Sequence, residues 1–332
     1  MSGPRRRSVS YTPDVHVGLT GDVLVPTDGR APSDPQVRLG AALARRDRVA
    51  LRLVGIPDPR GTGSVSTLAR VFPAAAARVR RRRLDHRLRA QAARAAGLKD
   101  GRPELAFGPT RATDAAGEPR PALLVLARGD HTALDHLFEH DALVTLTRAL
   151  GCAVLATSAG VALPTRALAA IDGSEASIAA ARATVQVIGA QGLLYLCHVI
   201  EGVTVAHGTL APSTDREAER AQLGSQLLLR ARAQLSIPRT VTVRLLLLAG
   251  PPGRTLLHFA AEHELDLIAA GSRRLGPGAR HSEGSVTARL LRLATHAMLV
   301  AAGDGHPIDR RTEETPAPPA VDLPVMRARR AD

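Results

Sequence analysis

Apolar runs of strand length alternate along the chain with Ala-, Leu- and Arg-rich stretches of helical period, the pattern of a parallel sheet covered by helices. In the second half the pattern predicts strands at 168–171, 193–199, 241–248, 265–270 and 297–301. Helices are predicted between them, near 177–188, 215–235, 252–262 and 285–294.

The first half repeats this order. Val25-Pro26-Thr27-Asp28-Gly29 aligns with Ala169-Ala170-Ile171-Asp172-Gly173, and Leu53-Val54-Gly55 with Cys197-His198-Val199. Leu124-Val125-Leu126-Ala127 aligns with Ile268-Ala269-Ala270-Gly271, and Cys152-Ala153-Val154-Leu155 with His296-Ala297-Met298-Leu299. All four anchors share one offset of 144 residues, which argues for a tandem duplication. The expected organisation is a loose arm at 1–20, a first domain at 21–158, a linker at 159–166, a second domain at 167–302 and a flexible tail at 303–332. Gly160 and Pro164 break the linker, and Thr315-Pro316-Ala317-Pro318-Pro319 marks the tail.

A chain of 332 residues is long enough for two cores. A hydrophobic fraction of 45% excludes disorder over most of it. The net charge of +13 is carried almost wholly by arginine, Lys99 being the single lysine, which looks more like a coding bias than a binding surface. Contact with nucleic acid or an acidic partner is most plausible at residues 78–94. There Arg78, Arg80, Arg81, Arg82, Arg83, Arg87, Arg89 and Arg94 face one Asp85 and, at 100° per residue, surround the helix, as on a solvated surface. Six aromatic residues are too few for stacking platforms on single strands.

Cys152 and Cys197 form no CxxC pair, which argues against a zinc ribbon or a thioredoxin-type site. Both are expected as buried thiols in a reducing cytoplasm. No apolar stretch approaches the roughly 20 residues of a membrane span, so a cytoplasmic protein with no membrane contact is expected. His136-Leu137-Phe138-Glu139-His140 spells H-x-x-E-H without a third ligand. Arg280-His281-Ser282-Glu283-Gly284 lacks the first glycine of a hydrolase elbow. Neither a G-x-x-x-x-G-K-[S/T] loop nor an S-G-G-x-D-S loop is present.

In an open parallel sheet ligands sit beyond the carboxyl ends of the strands. Two segments of the second half reach that edge: Asp172-Gly173-Ser174, a carboxylate for a ribose or adenine followed by open backbone, and Gly271-Ser272-Arg273-Arg274 with a loop running to Gly284-Ser285-Val286-Thr287. Glycines admit phosphate to the backbone, and a helix start adds unpaired N–H groups.

At these residues the sequence resembles the universal stress protein family, whose ATP-binding members carry G-x2-G-x9-G-[S/T] after the fourth strand. Gly271, Gly284 and Ser285 fill three of its positions, and nine residues separate Arg274 from Gly284. The runs from Ala169 to Ser177, Cys197 to Ile200 and Asp266 to Arg273 also match, with a fainter echo in the first half. The resemblance implies two tandem doubly wound α/β domains of five parallel strands each, of the adenine nucleotide alpha hydrolase-like, Rossmann-like class. It implies ATP or another adenine nucleotide, with or without Mg2+, held by Asp172, by the backbone of Val199, and by Gly271, Gly284 and Ser285. It also implies a stress-response regulator and a contact through the fifth strands, within the chain or in a homodimer.

Arg274 stands where the motif has its second glycine. Either it fills the triphosphate's space, leaving an interaction or scaffold protein of the same fold, or it folds outward and pairs with phosphate. In the first half the matching positions are Ala127, Asp130, His140 and Asp141, acidic or bulky where phosphate would sit, so that half is expected to bind no nucleotide. No residue is an evident general base, so binding with at most slow ATP hydrolysis is expected, and no catalytic residue is assigned.

Overall fold

The structure is a computed structural model describing residues 18–55, 73–96, 104–107, 121–127, 147, 151–157, 162–201, 215–272, 286–303 and 325–326. The first half contains β1 (Val23–Thr27), α1 (Asp34–Asp47), β2 (Leu51–Gly55), α2 (Pro73–Gln91, continued by a π-turn over Ala92–Ala96), β3 (Glu104–Phe107), β4 (Leu123–Ala127) and β5 (Ala153–Thr157). The second contains β6 (Arg166–Ala170), α3 (Glu175–Ile188), β7 (Leu193–Ile200), α4 (Asp215–Ala233), β8 (Thr242–Ala249), α5 (Pro252–Glu262), β9 (Leu267–Ser272), α6 (Val286–Leu293) and β10 (Ala297–Ala302), followed by β11 (Val325–Met326).

These strands form one sheet in the order β11-β8-β7-β6-β9-β10-β5-β4-β1-β2-β3. Each half shows the same doubly wound arrangement, and the registers of β1, β4 and β5 repeat at the sequence offset, whereas β2 is shifted by one residue. Val25 lies opposite Leu53 but Ala169 opposite Leu196, so Leu53 matches Leu196 and not Cys197 as the sequence alignment had it. Val23 lies opposite Leu123 as Ala167 lies opposite Leu267, and Leu123 opposite Ala153 as Leu267 lies opposite Ala297.

The halves join through β5 and β10, the one antiparallel pair among the described strands, with Met298 opposite Ala156, Leu299 opposite Leu155 and Val300 opposite Val154. Leu155 and Leu299 are repeat counterparts facing each other, so a local two-fold axis runs between them, as in an isologous dimer contact. The fifth-strand pairing is therefore met inside the chain.

Alternation along the strands divides the core. Val23 and Val25 of β1 point to the face covered by α1, α3 and α4, while Leu24 points to the opposite face, which α5 and α6 cover. Cys152 and Cys197 are both buried, as expected. Burial pushes the Cys152 thiol up to about 12 and raises that of Cys197 as well.

Three boundaries differ from the sequence reading. Leu19, assigned to the loose arm, is buried in the core, and its N–H donates to Asp47 Oδ2 at 3.0 Å. Strand β6 begins at Arg166, the last residue of the expected linker. Inside the expected tail, Val325–Met326 adds a short parallel strand to the outer side of β8, which otherwise would be an edge with unpaired backbone groups. The H-x-x-E-H segment lies outside the described residues.

Candidate nucleotide site at the carboxyl edge of the second half

Strands β6 and β9 are neighbours whose connections leave in opposite directions, and this switch point opens a crevice at their carboxyl ends. Asp172 sits just past β6. Gly173 has φ +80°, a left-handed conformation that favours glycine, and turns the chain into α3. Ser174 caps that helix by accepting from the Ser177 N–H at 3.2 Å. Ser174 also donates to Asp172 Oδ1 from its N–H at 2.9 Å and from its hydroxyl at 2.5 Å. These bonds hold the carboxylate in a fixed, solvent-exposed position over the crevice.

Gly271 lies in β9 beside the first turn of α3. A Cβ there would meet the Ser177 nitrogen and would come within 2.5 Å of the Ala176 carbonyl carbon. The glycine therefore lets strand and helix approach closely. Thr287, in the first turn of α6, donates its hydroxyl to the Gly271 carbonyl at 2.8 Å, tying the start of α6 to the end of β9. Gly303, like Gly271, makes room for the start of α3, since a Cβ there would lie 2.7 Å from the Ala176 nitrogen.

On the other side of β6, the ladder with β7 ends at Ala170 opposite Cys197, closed by Ile171 N–H donating to the Cys197 carbonyl at 2.7 Å. Val199 lies two residues beyond, paired with Leu248 of β8 and outside the β6 ladder. His198 packs there with Nδ1 2.8 Å from the Ile171 carbonyl oxygen, the packed role expected of it. The structure thus brings Asp172, Val199 and Gly271 to one edge. Arg274, Gly284 and Ser285 lie outside the described residues, although α6 begins at the residue after Ser285.

The matching corner of the first half is built differently. Asp28 is buried; its Oδ1 accepts from the Arg30 N–H at 3.0 Å and from the Ser33 hydroxyl at 3.0 Å. Gly29, at φ +78°, lies under α2, where a Cβ would be 2.7 Å from the Arg87 Cβ. Gln91 accepts from the Thr27 hydroxyl at 2.9 Å and donates to the Arg30 carbonyl at 3.1 Å and to Asp34 at 2.9 Å. Arg94 grips Asp34 with two donors at 2.7 and 2.9 Å. Burial pushes the Asp34 carboxyl up, but hydrogen bonds from Arg94 and Gln91, with the charges of Arg94 and Arg38, outweigh it and hold the group below its usual value.

Among the described arginines of the basic helix, Arg87 alone departs from the solvated ring that the sequence suggested. Arg82, Arg83 and Arg89 are exposed within about 120° of arc, while Arg87 turns half-buried toward Gly29 and Arg94 binds Asp34. Sequence reasoning missed Thr287 and the pair Gln91 and Arg94. Thr287 was legible as a hydroxyl two positions past the motif serine, whereas Gln91 and Arg94 carry no local signal.

Fold and crevice together define a doubly wound α/β protein of the Rossmann-like class, duplicated in one chain. Residues 165–302 match the model of the universal stress protein family, which therefore covers the second half of the chain. No curated protein matches the sequence. Among solved structures, a universal stress protein from Archaeoglobus fulgidus DSM 4304 shares the fold at 17% identity and a TM-score of 0.50, covering 85% of this chain and 97% of its own. A universal stress protein in complex with cAMP is 19% identical over 43% of this chain and 99% of its own, with a TM-score of 0.33. A universal stress protein family protein from Arabidopsis thaliana with AMP bound is 15% identical over 47% of this chain and 100% of its own, with a TM-score of 0.29. No helix among the described residues is long and apolar enough to cross a membrane.

Proposed function

We propose that the second half binds an adenine nucleotide and that the protein acts as a stress-response regulator through that binding rather than through turnover. The observation that carries this reading is the exposed Asp172 carboxylate, fixed by Ser174 at the switch point and flanked by Val199 and Gly271. A carboxylate there accepts from a ribose hydroxyl. The unladdered side of Val199 suits the base, and Gly271 with the start of α6, the elements on either side of Arg274, Gly284 and Ser285, suits the phosphate. The first half serves as a structural partner, because the end of α2 already occupies its corner.

Isothermal titration of the full chain with AMP, cAMP and ATP, each with and without magnesium, tests the proposal. Saturable binding below millimolar concentration is expected, weakened about tenfold or more by Asp172→Ala or Ser285→Ala, a loss of about 1.4 kcal/mol. Asp28→Asn should leave it unchanged. Arg274→Gly separates the two readings of that residue: tighter ATP binding means that the guanidinium obstructs, and weaker binding that it pairs with phosphate. Absence of binding by all three nucleotides would overturn the proposal and leave a scaffold that kept the fold.

A further inference from the structure

On the face of the sheet covered by α5 and α6 lies a pocket of about 460 Å³ that shares no residue with the carboxyl-edge crevice. This size is that of a small-molecule site, in the range of roughly 300–1,000 Å³. Its apolar floor is Leu257 and Ala261 of α5 and Leu293 of α6, the last being one of two large apolar side chains exposed among the described residues, at 60%.

Cationic and imidazole groups ring that floor. Arg254 and His258 project from the α5 face that carries Leu257, at helical spacing, and Arg289 projects from α6. The Arg289 stem lies across the first turn of α5, where a Cβ on Gly253 would be 2.8 Å from its Cδ. This packing directs a second guanidinium toward the turn that carries Arg254. Among the described residues, no acidic side chain lines the pocket. The buried Nε2 of His258 has no hydrogen-bond partner among the described residues, a polar atom left open at the wall.

We propose that this pocket binds a small amphipathic anion, a single carboxylate or phosphate-type head on a short aliphatic body. Arg254 and Arg289 take the head, and Leu257, Ala261 and Leu293 take the body. Two guanidiniums brought together without a carboxylate attract an anion, and planar forks suit either head. The exposed leucine gains from being covered by an aliphatic chain. His258 Nε2 supplies a further polar contact.

The test uses the full chain and four probes in isothermal titration. Octanoate and octyl phosphate offer the two heads, octanol lacks the charge, and acetate lacks the body. Saturable binding of at least one octyl anion is expected, with acetate and octanol at least tenfold weaker. Arg254→Ala combined with Arg289→Ala should weaken the octyl anion at least tenfold, as should Leu293→Glu alone. Both arginines are exposed, so circular dichroism melting should be unchanged, and AMP titration should be unaffected. The proposal falls if neither octyl anion saturates, if octanol binds as tightly as the anions, or if the double arginine variant binds as the parent does. A failure of nucleotide binding alone leaves it standing, because the two sites share no residue.

Discussion

The corners after β1 and β6 begin from the same dipeptide, Asp28-Gly29 and Asp172-Gly173, and end as opposites. In the first, the aspartate is buried, bonded to Ser33 and Arg30, and roofed by α2. In the second, the aspartate is exposed, and the helix above it touches Gly173 only through the flexible tip of Leu227, 3.0 Å from where a Cβ would lie. A duplicated loop can therefore keep its turn chemistry and lose its cleft. What decides between the fates is the helix three elements further on, whose side chains either fill the corner or stand back from it.

The sharpest way to break the comparison is to put a methyl group at each glycine. Gly29→Ala should cost about 3 kcal/mol, because a left-handed φ is combined with a collision against the Arg87 Cβ. Gly173→Ala has the same backbone penalty but meets only a movable leucine, so about 1–2 kcal/mol is expected. Equal costs in urea unfolding would mean that the two corners are not packed differently.

Next in size is the network under α2. Asp34→Ala strands Arg94 and Gln91 and should cost about 1–3 kcal/mol. The acid side sharpens this. The folded Asp34 pKa lies below its usual value of 3.8, so its stabilisation is present above that value and is lost as pH falls through the lowered one. Below about pH 4, Asp34→Asn should therefore flatten the fall in melting temperature with acid. An acid slope unchanged in Asp34→Asn would contradict the assignment.

The smallest expected difference is at the shared aspartates. Asp28→Ala removes a buried acceptor of two hydrogen bonds and should cost about 1–2 kcal/mol. Asp172→Ala removes an exposed acceptor of two bonds from Ser174 and should cost less, about 0.5 kcal/mol. Chemical denaturation of both variants checks the order.

Much of this architecture is legible in the sequence. Strands β1, β4, β5 and their counterparts appear as apolar runs at a constant offset, and the pairing of β5 with β10 is one of the two fifth-strand contacts that the family resemblance implied. Asp172, Val199 and Gly271 are placed together because a parallel sheet aligns the ends of its strands. The rest was not legible for physical reasons. Counting charge around a helix says nothing about which side the sheet buries, so Arg87 read as solvated, and nothing local announced that the exposed Arg94 pairs with Asp34. Leu19 is a lone apolar residue, and Val325–Met326 is too short a run to carry a period. Gly271 read as a concession to phosphate, and in the structure it first of all makes room for the start of α3.

The seam between β5 and β10 has a consequence for how the chain is made. Its partners lie about 144 residues apart, so during synthesis the first half emerges with the hydrogen-bonding rim of β5 uncovered until the second half has been translated. At a few residues per second that interval lasts on the order of ten seconds. For that time a buried, apolar strand is an open template for the same strand of a neighbouring nascent chain. The duplication supplies the covering strand in cis, so polysome density and chain spacing, rather than the final stability of the fold, set how often two copies become entangled.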